Sequence, residues 1–168
     1  MVVTTLGYLE ENDKVLMLHR VSKKEDINAG KWIGIGGKME PDESVLACMQ
    51  RECFEETGLV WKNPRLAGII TFCFRKEKDD PLFCELMFLY CGGSFSGDLK
   101  ECSEGKLAWI DKKDIPSLSL WKGDRIFLKQ MFEQKDLFYM VLDYLGDELT
   151  GASIDGTPLD LSDSSLYL

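Results

Sequence analysis

The sequence predicts an α/β domain built on a mixed β-sheet. Three observations carry this expectation. Apolar or alternating runs of strand length recur along the chain, two separated segments have helical spacing instead, and turn residues punctuate the intervals. A length of 168 residues suits one ordinary domain with a full core. At 45% hydrophobic residues, the chain has the composition of a globular protein and not of a disordered one.

The elements follow in order. "VVTTLGYL" and "KVLML" read as two strands around the turn "EENDK". "VSKKEDINAG" is a polar loop, and "KWIGIGG" a short strand whose alternate glycines admit a close neighbour. "ESVLACMQRECFEET" is helical, with Gly58 placed as its C-terminal stop. "LAGIITFCF" and "LFCELMFLYC" are strong strands joined by the charged loop "RKEKDDP", and "KLAWI" is a further short strand. "DRIFLKQMFEQ" sets Ile126, Phe127, Met131 and Phe132 at helical spacing, and "DLFYMVLDYL" reads as a closing strand. Residues 1–150 form the expected domain. From Gly151 onward the chain is rich in Ser, Asp and Gly, and 151–168 reads as a tail or irregular wrap.

Charge and cysteine usage exclude several functions. A formal net charge of −9 opposes a surface that follows a nucleic-acid polymer or an anionic membrane. It does not oppose one small phosphorylated ligand, because a divalent cation reverses the local field. Six cysteines, with no CxxC pair and mostly within apolar runs, read as reduced and buried, and a single histidine, His19, makes a zinc site less expected still. No apolar run reaches bilayer length, and the opening "MVVTTLGYLEENDK" lacks the features of a signal peptide. The expected location is cytoplasmic, as a monomer or homodimer.

The helical segment 44–57 breaks its own rules. On a wheel of 3.6 residues per turn, Val45, Cys48 and Met49 share one face. Continued by threes and fours, that face reaches Glu52, Glu55 and Glu56. Partly desolvated carboxylates ~6 Å apart repel by roughly 3 kcal/mol at an effective dielectric near 20. Each acid at a helix C-terminus costs a further ~0.3–1 kcal/mol against the dipole. Arg51 can pair with Glu55 at i,i+4, but one arginine does not neutralise three acids. A hard divalent cation, Mg²⁺ or Mn²⁺, resolves the conflict, because it takes oxygen ligands; a solvated acidic face is the bland alternative.

The linear pattern is more specific than the wheel. Gly37, five residues, Glu43, seven residues, then Arg51-Glu52-Cys53-Phe54-Glu55-Glu56-Thr57-Gly58-Leu59 resembles the Nudix box, the signature of hydrolases acting on nucleoside diphosphates linked to another group. Every polar and glycine position is present. Cys53 stands where an aliphatic residue is usual, a change of packing and not of chemistry. The resemblance covers about the first 145 residues and implies an α/β/α sandwich around a mixed sheet. It also implies a cation held by Glu52, Glu55, Glu56 and the carbonyl of Gly36, with Glu52, Glu55, Glu56 and Arg51 as the catalytic set, water activated by a carboxylate or the metal, and Arg51 and Glu43 bracing helix against loop. No Walker pattern is present, so a P-loop mechanism is not expected.

"GKWIGIGGKMEPDES" and "WKGD" resemble the subgroup that removes oxidised purine nucleotides such as 8-oxo-dGTP. That likeness implies Glu104 as a further metal ligand, Phe72 as a pocket aromatic, Trp121 as a stacking wall, Asp124 as a base-reading acid and Arg20 as a basic pocket residue. Two departures are visible: Ile33 stands where animal members carry asparagine, and Gly123-Asp124 where they carry two acids. The expected reaction is cation-dependent cleavage of a nucleoside triphosphate to the monophosphate and pyrophosphate. The alternatives are the same chemistry on ADP-ribose or a nucleotide sugar, and a non-catalytic nucleotide-binding regulator. The regulator is disfavoured because a pure binder has no need of three crowded acids.

Overall fold

A computed structural model describes residues 1–21 and 27–168. The polar loop expected at 21–30 therefore lies partly outside the described residues. In chain order the elements are β1 (Val2–Tyr8), β2 (Glu10–Glu11), β3 (Lys14–His19), β4 (Trp32–Ile33), α1 (Val45–Thr57), β5 (Val60–Lys62), β6 (Arg65–Arg75), β7 (Phe83–Cys91), β8 (Ser94–Ser96), β9 (Lys106–Asp111), α2 (Lys122–Glu133), β10 (Phe138–Leu145), β11 (Glu148–Ile154) and β12 (Thr157–Pro158).

The central sheet has the order β1-β7-β6-β10-β11-β12. It is mixed, as expected: β1 runs parallel to β7 and β10 parallel to β6, while β6 and β7 are antiparallel. Both parallel pairs are reached through a helical crossover, the connection such pairs require. The helices cover opposite faces. On one face Thr5 meets Cys48 of α1 across 3.4 Å. On the other, Tyr8 packs against Phe127 of α2, with ring centroids 6.4 Å apart. Two cores follow, one around Met49, Cys53 and Trp61, the other around Tyr8, Ile70, Phe127 and Leu142. A smaller sheet is centred on β3, which pairs with β2, β4 and β9.

Strand register positions the site. Residues opposite one another in a sheet share a face. Phe72 lies opposite both Glu85 and Leu142, and Thr4 opposite Met87. The α2 side of the sheet therefore presents Thr4, Met87, Glu85, Phe72 and Leu142 as one continuous wall.

Three expectations are corrected. The turn "EENDK" contains the short strand β2, closed by Asn12 and Asp13 at φ 50° and 63°, the left-handed pair a tight hairpin requires. Within "KWIGIGG" only Trp32–Ile33 is a strand; beyond it the chain is stitched to β1 by single bridges at Ile35 and Lys38. The segment from 151 is not wholly irregular, since Gly151–Ile154 completes β11 against β10. A register shift leaves Thr150 as an extra residue there, so the buried Leu149 and Ala152 fall three apart and the two-residue period is lost. Thr157–Pro158 then pairs with β11 as β12, and the end of the chain folds back on α2, where the Leu168 N–H donates to the Arg125 carbonyl at 3.0 Å.

Candidate active site

Helix α1 ends where the sequence marks its stop, and begins two residues inside the expected stretch. The Ser44 hydroxyl accepts the Ala47 N–H at 3.1 Å, and Gly58 stops the helix at φ 78°, a left-handed conformation that costs glycine little. Cys53 is fully buried in the α1 core, the role expected of a small hydrophobe there.

The three glutamates occupy different surroundings. Glu56 is only 8% exposed, and its carboxylate accepts the Gly36 N–H at 2.9 Å. Burial pushes its pKa up to about 8; the Gly36 N–H opposes this, and the nearby Glu104 and Glu52 add to it. Glu52 is half-buried and its pKa is also raised by desolvation, against the Arg51 guanidinium. Glu55 lies at the rim, with its side chain 57% exposed.

Arg51 organises this end of the helix. It grips Glu43 with two hydrogen bonds, Nε at 3.0 Å and Nη2 at 2.8 Å, and Nη2 also reaches the Lys38 carbonyl at 3.1 Å. Its Nη1 serves Glu52 at 2.8 Å and Glu55 at 3.1 Å. The hydrogen bonds from Arg51 hold the Glu43 carboxyl down at about 2. The expected brace between helix and loop is therefore present. Arg51 spends its donors on carboxylates, loop backbone and the Cys48 sulfur.

The glycine loop presses directly on these acids. A Cβ on Gly37 would stand 2.5 Å from the Glu52 carboxyl carbon. That carboxyl sits at the end of a flexible chain, so it can give way. Gly37→Ala is expected to fold, to lose less than about 1 kcal/mol of stability, and to lower kcat by at least about tenfold by displacing Glu52. Thermal melts run beside steady-state rates check both halves, and an unchanged rate would separate Glu52 from the chemistry.

All donors here are oxygens, the set suited to a hard divalent cation. Among the described residues no three acidic, His or Cys side chains are gathered tightly enough to form a finished cation site. The residues nonetheless fit one: among the described residues no cationic side chain bonds the buried Glu56, and the field of Glu104 and Glu52 on it is offset only in part by Arg20.

Glu52 lines a cleft of ≈ 710 Å³, and Glu56 lies behind its wall, bonded to the Gly36 N–H. Gly36 and Glu104 line the same cleft, as do Phe72, Trp121 and Asp124. Ile33 and Arg20 lie along it, and the Arg20 guanidinium hydrogen-bonds Glu104. Trp121 is pinned: its indole N–H donates to Asn28 Oδ1 at 2.8 Å, and the Lys31 ammonium lies 5.0 Å from its ring centroid. Asp124 sits in the first turn of α2, where burial pushes its pKa up to about 7 against the pull of Lys31 and Arg125. Sequence reading misses Tyr144, whose ring tilts against Phe72 at 5.2 Å and meets Trp121 edge-on at 5.8 Å. It also misses the Thr4 hydroxyl, which donates to Glu85 at 2.6 Å on the cleft wall. Both lie inside ordinary strand patterns, and only the register brings them to the cleft.

Comparison with known proteins agrees with this geometry. The family model described as NUDIX domain matches residues 2–131. The chain is 36% identical to an uncharacterized Nudix hydrolase, YvcI, of Bacillus subtilis, over 81% of this chain and 82% of that protein. It is 31% identical to an oxidized purine nucleoside triphosphate hydrolase of Danio rerio, over 67% of this chain and 70% of the relative. A crystal structure of a MutT protein from Bacillus halodurans superposes with a TM-score of 0.83 at 30% identity, covering 94% of this chain and all of that one. The α/β fold, the braced glutamate helix and these likenesses agree, and the chain belongs to the Nudix hydrolase family.

Proposed function

We propose that this Nudix hydrolase is a Mg²⁺-dependent (or Mn²⁺-dependent) nucleoside triphosphate pyrophosphohydrolase whose favoured substrates are oxidised purine nucleotides such as 8-oxo-dGTP. The observation that carries this reading is one cleft lined by the acids Glu52 and Glu104 and also by the aromatics Phe72, Trp121 and Tyr144, with Asp124 among them. A phosphate chain with its cation suits the acids, and a flat base suits the aromatics.

Glu52, Glu56 and Glu104, with Glu55 at the rim and the Gly36 carbonyl, are the groups that would hold the cation. A bound divalent cation would neutralise the diphosphate and make its phosphorus more open to attack by water. Arg51 keeps Glu52 and Glu55 oriented, and the Gly36 N–H keeps the Glu56 carboxylate fixed. Phe72 and Trp121 sandwich or border the base, Ile33 and Arg20 flank it, and Asp124 meets its polar edge. The relative named for oxidised purine triphosphates supports the substrate class.

Incubation of the pure protein with Mg²⁺ and a nucleotide panel tests the reaction. The monophosphate and pyrophosphate are the expected first products, because a cation held by these acids would engage the inner phosphates of a nucleotide whose base lies among the aromatic residues. Orthophosphate as the first product would sink the reading. Faster turnover of ADP-ribose than of any triphosphate would move the substrate class.

A further inference from the structure

Tyr144 is 5% exposed, and its side chain emerges from β10 between the two aromatic walls of the cleft. Its hydroxyl oxygen accepts the Gly123 N–H at 2.7 Å. That N–H is an open donor of the first turn of α2, where the N-cap residue Trp121 supplies no side-chain cap. The phenol therefore caps the helix from outside and is itself fixed in place. Among the described residues this is the one hydrogen bond it makes, and it makes it as acceptor. A phenol has one proton to give as well. Burial and the adjacent Asp124 raise the Tyr144 pKa further above its ordinary value, so the proton stays on across the working pH range.

The same turn carries an acceptor, since Asp124 follows Gly123 and its side chain lines the same cleft as Tyr144. Gly123 is what admits the hydroxyl: a Cβ there would lie 2.8 Å from the Tyr144 hydroxyl oxygen and 2.7 Å from Leu142 Cδ1. A donor next to a carboxylate is the complement of one kind of purine edge. A 6-oxopurine presents a carbonyl oxygen beside ring and exocyclic N–H groups. A 6-aminopurine presents the reverse order, an amino donor beside a bare ring nitrogen.

We propose that the Tyr144 hydroxyl is a specificity-determining donor which, with Asp124 as neighbouring acceptor, selects 6-oxopurine over 6-aminopurine nucleotides. The proposal rests on the reading that the base lies among the aromatic residues of the cleft.

The test compares wild type with Tyr144→Phe, which keeps the ring and removes only the hydroxyl. Steady-state kinetics with Mg²⁺ are measured on 8-oxo-dGTP and dGTP against 8-oxo-dATP and dATP, with dCTP as a base of another shape. Wild type is expected to favour the 6-oxo member of each pair. In Tyr144→Phe, kcat/KM for the 6-oxo members should fall at least about tenfold, carried by KM with kcat within about twofold. The 6-amino members should change less than about threefold. Gly123→Ala, which pushes the hydroxyl aside and leaves the ring, should repeat the same selective loss. Equal losses on all purines would show a purely structural cap and overturn the proposal, and so would no loss at all. Trp121→Ala is the separate control: if it leaves every purine rate unchanged, the base is not in this cleft and the parent reading fails with it.

Discussion

Glu56→Gln is expected to lower kcat by about 10²-fold or more at saturating Mg²⁺, and EDTA is expected to abolish turnover of the wild type. The change keeps the size of the side chain and its ability to accept the Gly36 N–H. What it removes is a negative charge in the most enclosed of the acidic positions. Charge placed to hold a cation against a diphosphate acts mainly in the transition state, so the loss should appear in kcat more than in KM.

The same variant should be more stable than wild type when metal is withheld. Burial raises the folded-state pKa of Glu56 to about 8, above its ordinary value of 4.5. A raised carboxyl binds its proton more tightly in the folded chain. Its stabilising effect is complete below the unfolded pKa and is lost as pH rises from about 4.5 to about 8. In EDTA at pH 8, Glu56→Gln should melt several degrees above wild type, at about 2–4 °C per kcal/mol for a chain of this size. The gap should close at pH 5 and reverse when Mg²⁺ is added to both. Glu43 has the opposite sign, because its folded pKa is near 2. Its contribution is present above the unfolded value of 4.5 and fades as pH falls toward 2, so it does not obscure the alkaline window. Near wild-type turnover of Glu56→Gln with Mg²⁺ would remove this residue from the site.

What the sequence made legible is what local chemistry specifies. Gly58 marks the end of α1, and the i,i+3 and i,i+4 spacing of Glu52, Glu55 and Glu56 declares a conflict that needs a partner. The wheel also brings Arg51 within reach of Glu55, and the linear pattern adds Glu43. The wheel does not reveal that the three acids differ. Glu56 is enclosed by the glycine loop and Glu55 stays at the rim, a difference set by how β1 and the 34–38 segment pass the helix. The aromatic lining of the cleft was less legible. Tyr144 belongs to a strand whose alternation reads as plain core, and its approach to Phe72 depends on a parallel pairing of β10 with β6 across a helical crossover. Pairing at that sequence distance leaves no local signal. The strand across residue 151 was hidden for a different reason, since the extra Thr150 breaks the period that would have announced it.

Asp124→Ala is expected to lower kcat/KM for 8-oxo-dGTP at least about tenfold, the cost of one lost buried hydrogen bond to the base. Its effect on dCTP should be small. A helix-start role would give a different pattern: a carboxylate in the first turn of α2 contributes about 1 kcal/mol to stability, and its loss would depress all substrates alike. The pKa sharpens the distinction. Burial raises Asp124 to about 7 from 3.8, so its proton is held more tightly in the folded chain. That contribution to stability is complete below about 3.8 and is lost as pH climbs to about 7. Asp124→Asn should therefore stabilise the free enzyme at pH 8 and have little effect on its stability at pH 4. Ionised Asp124 is the acceptor that meets N–H groups on a 6-oxopurine edge. At fixed saturating Mg²⁺, kcat/KM for 8-oxo-dGTP should thus rise through an inflection near pH 7, since this ratio reports the free enzyme's titration. A bound cation would keep Glu56 ionised over the same range, and comparison with Asp124→Asn separates Asp124 from the nucleotide's own terminal phosphate, which also titrates near neutral pH. In Asp124→Asn the inflection should vanish while the dCTP profile stays as it was. An inflection that survives the substitution would assign it to the other acids of the cleft or to the nucleotide's phosphate and leave Asp124 as a helix-start residue only.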